Sequence, residues 1–218
     1  MISKRLQAVL AHVTGCRVLY DVGTDHARLP IEAVKRRLCE KAYAVDNKQG
    51  PLQEAVRNIS AAGLEDYIEA RLSEGVEDLA EDVECITIAG LGGKSIHGML
   101  TGRRLPIKRL VLQPNNHPEV VRTLTQEGRL RIVDEDAIEE NGVVYPILVF
   151  EPGEQTLSQK ALWIGPILMH KRPEVYRQAL RDEKAFLERL LEDIPHKQAR
   201  LPLERKRALL EEVLHEWD

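Results

Sequence analysis

The chain has 218 residues, 43% of them apolar and 30% charged, with a net charge of −4 and three cysteines. This composition excludes a disordered or collagenous chain, and no run reaches the roughly 18 to 20 uncharged apolar residues that a membrane helix needs. The length suits one sizeable core with an appendage, and the acidic balance gives no support to a dedicated basic nucleic-acid-binding domain.

A short helix is expected from Ser3 to His12, with Leu6, Val9 and Leu10 on one face and Ser3 as its cap. Lys4 and Arg5 are not followed by an apolar core or cleavage site, so no secretory signal is expected. Five β runs follow, at Arg17–Tyr20, Lys41–Val45, Tyr67–Ala70, Cys85–Ala89 and Arg109–Gln113, with a helical stretch from Lys48 to Ala61 that stops at Gly63. That alternation is the rhythm of βαβ units and a mainly parallel sheet. Leu130–Ile138 and Val143–Phe150 then flank Glu140-Asn141-Gly142, a strong hairpin signal, so the sheet ends in an antiparallel pair and has seven strands.

After Phe150 the pattern changes. Glu151 to Glu154 reads as a turn and Trp163-Ile-Gly-Pro166 opens an apolar patch. Pro173 starts a helix with Val175, Ala179, Phe186, Leu187, Leu190 and Leu191 at helical spacing. Pro195 and Pro202 bracket a connector, and Leu203–Trp217 forms a second helix. The expected division is therefore an α/β domain over residues 1–154 and a linker with an antiparallel helical pair over 155–218. Cys16, Cys39 and Cys85 stand apart, without ligand spacing, and read as reduced thiols of a cytoplasmic protein rather than as a metal site.

Ligands of open α/β sheets bind beyond the carboxyl ends of the strands, and the unusual residues gather there. Tyr20-Asp-Val-Gly-Thr-Asp-His-Ala-Arg-Leu-Pro30 follows the first strand. Gly23 permits a tight turn, while Asp21 and Asp25 suit a cationic group or simply cap the next helix. The turn lacks the G-x-G-x-x-G that a pyrophosphate requires, which disfavours a nicotinamide-dependent oxidoreductase. Its acids suit the ammonium-bearing tail of S-adenosylmethionine better. Asp46, ending the second strand, can accept ribose hydroxyls or serve as a plain turn residue. Ser73 and Glu74 follow the third strand near the position expected for a cofactor adenine. Ala89-Gly-Leu-Gly-Gly93 brings bare backbone close to a ligand or a helix. In Gln113-Pro-Asn-Asn-His117, Asn115 can offer a carbonyl and an amide to a base edge, unless Asn115 or Asn116 caps the helix at Pro118. His26 and His117 can face one pocket. A non-catalytic RNA-binding scaffold would be expected to lose Asp21, Asp46 or Asn115, and all three are present.

Four segments, Tyr20–Pro30, Ala44-Val-Asp-Asn-Lys-Gln-Gly-Pro-Leu52, Ile86-Thr-Ile-Ala-Gly-Leu-Gly-Gly93 and Leu110-Val-Leu-Gln-Pro-Asn115, resemble in order and spacing the bacterial tRNA (adenine-22-N1)-methyltransferase family. The resemblance continues through Asn141-Gly142, Tyr145 and Trp163–Pro166 into the helical tail. It implies a Rossmann-like class I methyltransferase with a C-terminal helical pair, S-adenosyl-L-methionine as cofactor and tRNA as substrate. It also implies a cofactor loop of Asp21, Gly23, Asp25 and His26, and a ribose turn of Asp46 and Asn47. Ser73 and Glu74 would lie beside the adenine, Gly90, Gly92 and Gly93 between cofactor and target base, with Ala89 and Gly90 also at the cofactor, and Asn115 at the catalytic rim. Asp25, His26, Gly90 and Asn115 are thus the expected catalytic set. Ser73-Glu74 stands where the family has Gly-Asp, Leu91 where it has Met, Arg28 at an often aromatic position and Pro146 where an acid is usual. The alternative is a class I methyltransferase for another RNA or a small molecule. No membrane association is expected, and the chain is read as a monomer or weak homodimer.

Overall fold

Ser3 caps the first helix, α1 (Lys4–Ala11), its hydroxyl accepting the Leu6 N–H at 3.2 Å. The computed structural model describes residues 2–194 and 196–218. From α1 the chain runs through β1 (Val18–Val22), α2 (Arg28–Lys35), β2 (Lys41–Asp46), α3 (Gln49–Ala61) and β3 (Ile68–Leu72). It continues through β4 (Cys85–Leu91), α4 (Gly93–Leu100), β5 (Arg109–Pro114) and the short α5 (Pro118–Arg122), then β6 (Leu130–Glu140) and β7 (Val143–Pro152). The sheet has the order β3-β2-β1-β4-β5-β7-β6. The first five strands pair in parallel and β7 pairs antiparallel with both β5 and β6.

Alternation along the strands divides the core. Leu19, Ala42, Ala44, Val111 and Val149 face one apolar layer, under α1, α2 and α3. Val18, Tyr20, Tyr43, Val45, Leu110, Leu112, Leu148 and Phe150 face the other. Both faces of the central strands are covered, so these read as nearly continuous apolar runs rather than alternating ones. The chain reverses its winding between β1 and β4, which opens the crevice where open α/β sheets bind ligands.

The rest of the chain is helical: α6 (Gln159–Ile164), α7 (Leu168–Lys171), α8 (Glu174–Asp193) and α9 (Lys197–Trp217). Tyr176, Leu180 and Leu187 of α8 pack with Leu210, Val213, Leu214 and Trp217 of α9, and with Ile164 and Leu168. The expected connector ending at Pro202 is corrected: α9 begins at Lys197 and contains Pro202. This proline removes one intrahelical N–H early in the helix, and the packing of the later turns on α8 outweighs that single loss. Pro195 lies outside the described residues.

A buried bolt joins the tail to the sheet. The Arg122 and Glu135 side chains are both fully buried, and Nε of Arg122 donates to Glu135 Oε1 at 2.7 Å. The other guanidinium nitrogens donate to the carbonyls of Leu162, Trp163 and Ile164, and Glu135 Oε2 accepts the Ile167 N–H at 2.8 Å. A Cβ at Gly165, whose φ is +103°, would lie 2.6 Å from Glu135 Oε2 and 2.7 Å from Arg122 Nη2. The Trp-Ile-Gly-Pro segment therefore needs glycine to let the pair close.

Candidate active site

The first part of the crevice is built from the ends of β1, β2 and β3. Asp21 lies within β1 rather than after it and is only 4% exposed. It accepts the Thr87 hydroxyl at 2.6 Å, and burial pushes its carboxyl up to about 6. Gly23 then turns the chain at φ +69°. Asp25 is exposed, and His26 Nε2 lies 3.5 Å from its Oδ1. Neither Asp21 nor Asp25 caps α2, whose N-cap is Ala27 with no side-chain bond.

Asp46 is nearly buried, and its Oδ1 accepts the Lys48 N–H at 2.9 Å. That bond shapes the turn, while the other oxygen has no hydrogen-bond partner among the described residues. Asn47 donates to Glu74 Oε2 at 3.3 Å, and the buried Ser73 hydroxyl donates to Asp78 at 2.7 Å. Gly23, Asp46, Asn47, Ser73 and Glu74 line one cavity of about 610 Å³, with Leu91 and Met99 as apolar wall. Asp21, Asp25, His26, Ala89 and Gly90 lie outside that lining.

The second part is a clamp around Gly90. Ala89 pairs with Gln113 and Leu91 with Pro114, so Gly90 bulges out of the ladder at φ +81°. A bulge leaves one N–H and one C=O without strand partners. Here Gln113 Oε1 accepts the Gly90 N–H at 3.1 Å, and Asn115 Nδ2 donates to its carbonyl at 2.6 Å. Oδ1 of Asn115 accepts Nη1 of Arg5 at 3.0 Å. Neither Asn115 nor Asn116 caps α5, whose N-cap is His117 at φ +50°. Asn116 instead accepts the Gly93 N–H at 3.2 Å, and a Cβ at Gly93 would collide with the carbonyls of Asn116 and His117. The third glycine thus serves helix–loop contact, whereas Gly90 forms the bulge.

Asn115 and His117 also line a separate cavity of about 360 Å³ between this loop and the helical pair, bordered by Trp163, Tyr176 and Lys206. His26 does not line this cavity. Sequence reasoning missed Thr87, Gln113 and Arg5. Thr87 and Gln113 sit inside motifs whose glycines drew attention, and Arg5 has no local signal at all. Several cations of the tail are paired within the chain. Lys171 pairs with Asp134 and Asp136, Lys206 with Glu183, and Arg207 with Glu211. Exposed Arg28, Lys48 and Lys94, at the starts of α2, α3 and α4, have no carboxylate partner among the described residues. Helices that follow parallel strands start at the carboxyl edge, so these cations ring the crevice. His12, Asp134 and Asp136 gather at metal-ligand distances, but the Lys171 ammonium already sits 2.7 Å from both aspartates.

Comparison with known proteins gives one answer. The tRNA (adenine(22)-N(1))-methyltransferase family model matches residues 19–216. The tRNA (adenine(22)-N(1))-methyltransferase of Bacillus subtilis strain 168 is 30% identical, over 98% of this chain and 97% of its own. The crystal structure of Streptococcus pneumoniae Sp1610 superposes with a TM-score of 0.93 at 40% identity, covering 99% of this chain and 100% of that one. Its complex with S-adenosyl-L-methionine gives 0.91, with the same identity and coverage. With a model matched over nearly its whole length and a relative that similar, the chain belongs to the tRNA (adenine(22)-N(1))-methyltransferase family.

Proposed function

We propose that this chain transfers the methyl group of S-adenosyl-L-methionine to N1 of adenine 22 in tRNA. The observation that carries the reading is the meeting, at one sheet edge, of an acid-lined cavity of about 610 Å³ with a Gly90 bulge clamped by Asn115. The donor set fits this cofactor. Asp46 keeps one carboxylate oxygen free for ribose hydroxyls. Asn47 and Glu74 close on each other across the rim. Gly23 keeps the first turn free of a side chain at φ +69°, a backbone conformation that L side chains rarely adopt. Asp21 supplies buried negative charge beneath that turn for a cationic tail.

S-adenosyl-L-methionine supplies an electrophilic methyl group on a positively charged sulfur. Adenine N1 carries its own lone pair, so the residues around the target need to orient the base rather than generate a nucleophile. Asn115 has one N–H left after bonding Gly90, and this group can hold a base edge at the rim. Asp25, and the Ala89 and Gly90 carbonyl region, offer negative potential to a ring that becomes cationic. His26, beside Asp25, borders the same approach. The target must leave its stack to expose its Watson–Crick edge. Arg28, Lys48 and Lys94 are placed to hold the phosphates around it, with residues 155–218 as a further support for tRNA beside the catalytic residues 1–154. Among the described residues no helix is long and apolar enough to cross a membrane. Three free, buried thiols suit the cytoplasm where tRNA is modified.

The test is incubation of the pure protein with methyl-labelled S-adenosyl-L-methionine and unmodified tRNA, followed by nucleoside analysis. The expected product is 1-methyladenosine, absent when adenine 22 is replaced by guanine. Label in another nucleoside, or none, would refute the assignment.

A further inference from the structure

We infer that Arg5 is a positioning residue for methyl transfer and acts through Asn115. The inference rests on the methyltransferase reading above. Arg5 lies on α1, ahead of every motif in the sequence, yet its Nη1 donates to Asn115 Oδ1 at 3.0 Å. Its guanidinium lies 5.0 Å from the centre of the Tyr145 ring. Its backbone N–H is held by Glu140 Oε1 at 3.2 Å, and Nε lies 3.9 Å from Glu140 Oε2. The far end of α1 is held too, by His12 Nε2 at 2.8 Å from Asp136. Nothing separates the guanidinium from the bulge, since a Cβ on Gly90 would lie 3.9 Å from Nη2.

The chemistry of the amide explains the arrangement. A primary amide can rotate by half a turn and exchange its donor and acceptor ends. Arg5 offers only donors and must meet Oδ1, whereas the Gly90 carbonyl only accepts and must meet Nδ2. Together they fix which end of Asn115 faces which neighbour, and leave its second N–H pointing in one defined sense. The cation–π contact with Tyr145 helps hold the guanidinium in place. Without Arg5 the Nδ2 end keeps its bond to Gly90, while Oδ1 keeps only the longer 3.4 Å bond from Gln113 Nε2, so the acceptor end of the amide is held more loosely.

Single-turnover methylation at saturating tRNA and cofactor tests this, in a double-mutant cycle. Arg5→Ala should slow the step by about tenfold to a hundredfold, with tRNA affinity, cofactor affinity and melting temperature near wild type. Arg5→Lys, which keeps a donor and the charge, should recover part of the rate. Asn115→Ala should slow the step at least as much, and the double variant should be no slower than Asn115→Ala alone. Multiplying effects would overturn the inference, because Arg5 would then act independently. So would a loss of tRNA affinity at unchanged saturated rate, which marks a phosphate contact. Should Arg5→Ala not fold, Arg5→Gln takes its place in the cycle under the same criterion. A wild-type protein that makes no 1-methyladenosine refutes the function itself, whereas multiplying effects in an active wild type refute only the role of Arg5.

Discussion

Replacing Asp21 by Asn should stabilise the protein above pH 6 while loosening its hold on S-adenosyl-L-methionine. The folded carboxyl titrates at about 6 against an ordinary 3.8, because burial outweighs the Thr87 hydrogen bond. The folded state therefore binds this proton more firmly than the unfolded chain. Well below pH 3.8 both states are protonated and Asp21 carries no penalty. As pH rises through the window between the two values the unfolded chain releases the proton first, and stability falls. A shift of about two units, at 1.36 kcal/mol each, makes the full loss about 3 kcal/mol above pH 6. Asn resembles the neutral acid and still accepts from Thr87, so it escapes the loss. Urea unfolding of both proteins between pH 4 and 7.5 measures the difference. The variant's advantage should be about 0.5 kcal/mol at pH 4, about half developed near pH 5 and about 3 kcal/mol by pH 7.5. A pH-independent offset, or a variant that is less stable at pH 7.5, would refute the reasoning. Saturating cofactor should narrow the gap at pH 7.5, since it binds the wild type more tightly.

Asp46→Ala removes a charged acceptor from the cofactor cavity and should weaken cofactor binding by about 1.5 to 3 kcal/mol in calorimetry, with little change in melting temperature. Unchanged affinity would move the ribose site elsewhere. Glu135→Gln leaves Arg122 charged and buried without its partner, and should cost about 3 to 5 kcal/mol in urea unfolding. Joint replacement of Arg122 and Glu135 by Met and Leu should recover much of that loss. Arg28→Glu and Lys94→Glu should each weaken tRNA binding and lower the salt dependence of the affinity, the slope falling by about one per lost phosphate contact. Salt slopes equal to wild type would remove both residues from the tRNA surface.

The seven strands, the closing hairpin and the two long tail helices were legible because each rests on a local signal. These were apolar runs ending at Asp or Gly, an Asn-Gly turn, and helical spacing of leucines. Of the residues singled out at the strand ends, Gly23, Asp46, Asn47, Ser73 and Glu74 line one cavity, whereas Asp21 and Asp25 do not. What escaped was set by pairs remote in sequence. Arg122 and Glu135 look like ordinary charges on a short helix and a strand, and only the fold buries them against each other and against Gly165. The length of α9 escaped because proline is a helix breaker locally, whereas the packing that overrides it comes from α8.

The Gln-Pro-Asn element shows why a residue's type can answer to two demands at once. Its asparagine was singled out for a base edge, yet the structure gives it and Gln113 a backbone task, satisfying the two groups that the Gly90 bulge leaves unpaired. Gln113 Oε1 accepts from the bulge and its Nε2 donates to the Pro114 carbonyl at 2.9 Å, so that fully buried amide is satisfied within the protein. Asn115 is exposed and keeps one N–H unspent. The division follows from position: the buried amide must satisfy itself internally, whereas the exposed one can turn its remaining hydrogen toward a ligand. The bulge thereby couples the shape of the glycine loop to the orientation of Asn115. Arg5 completes the coupling from a helix that no motif marks, so α1 belongs to the geometry of the active edge as much as the strands do.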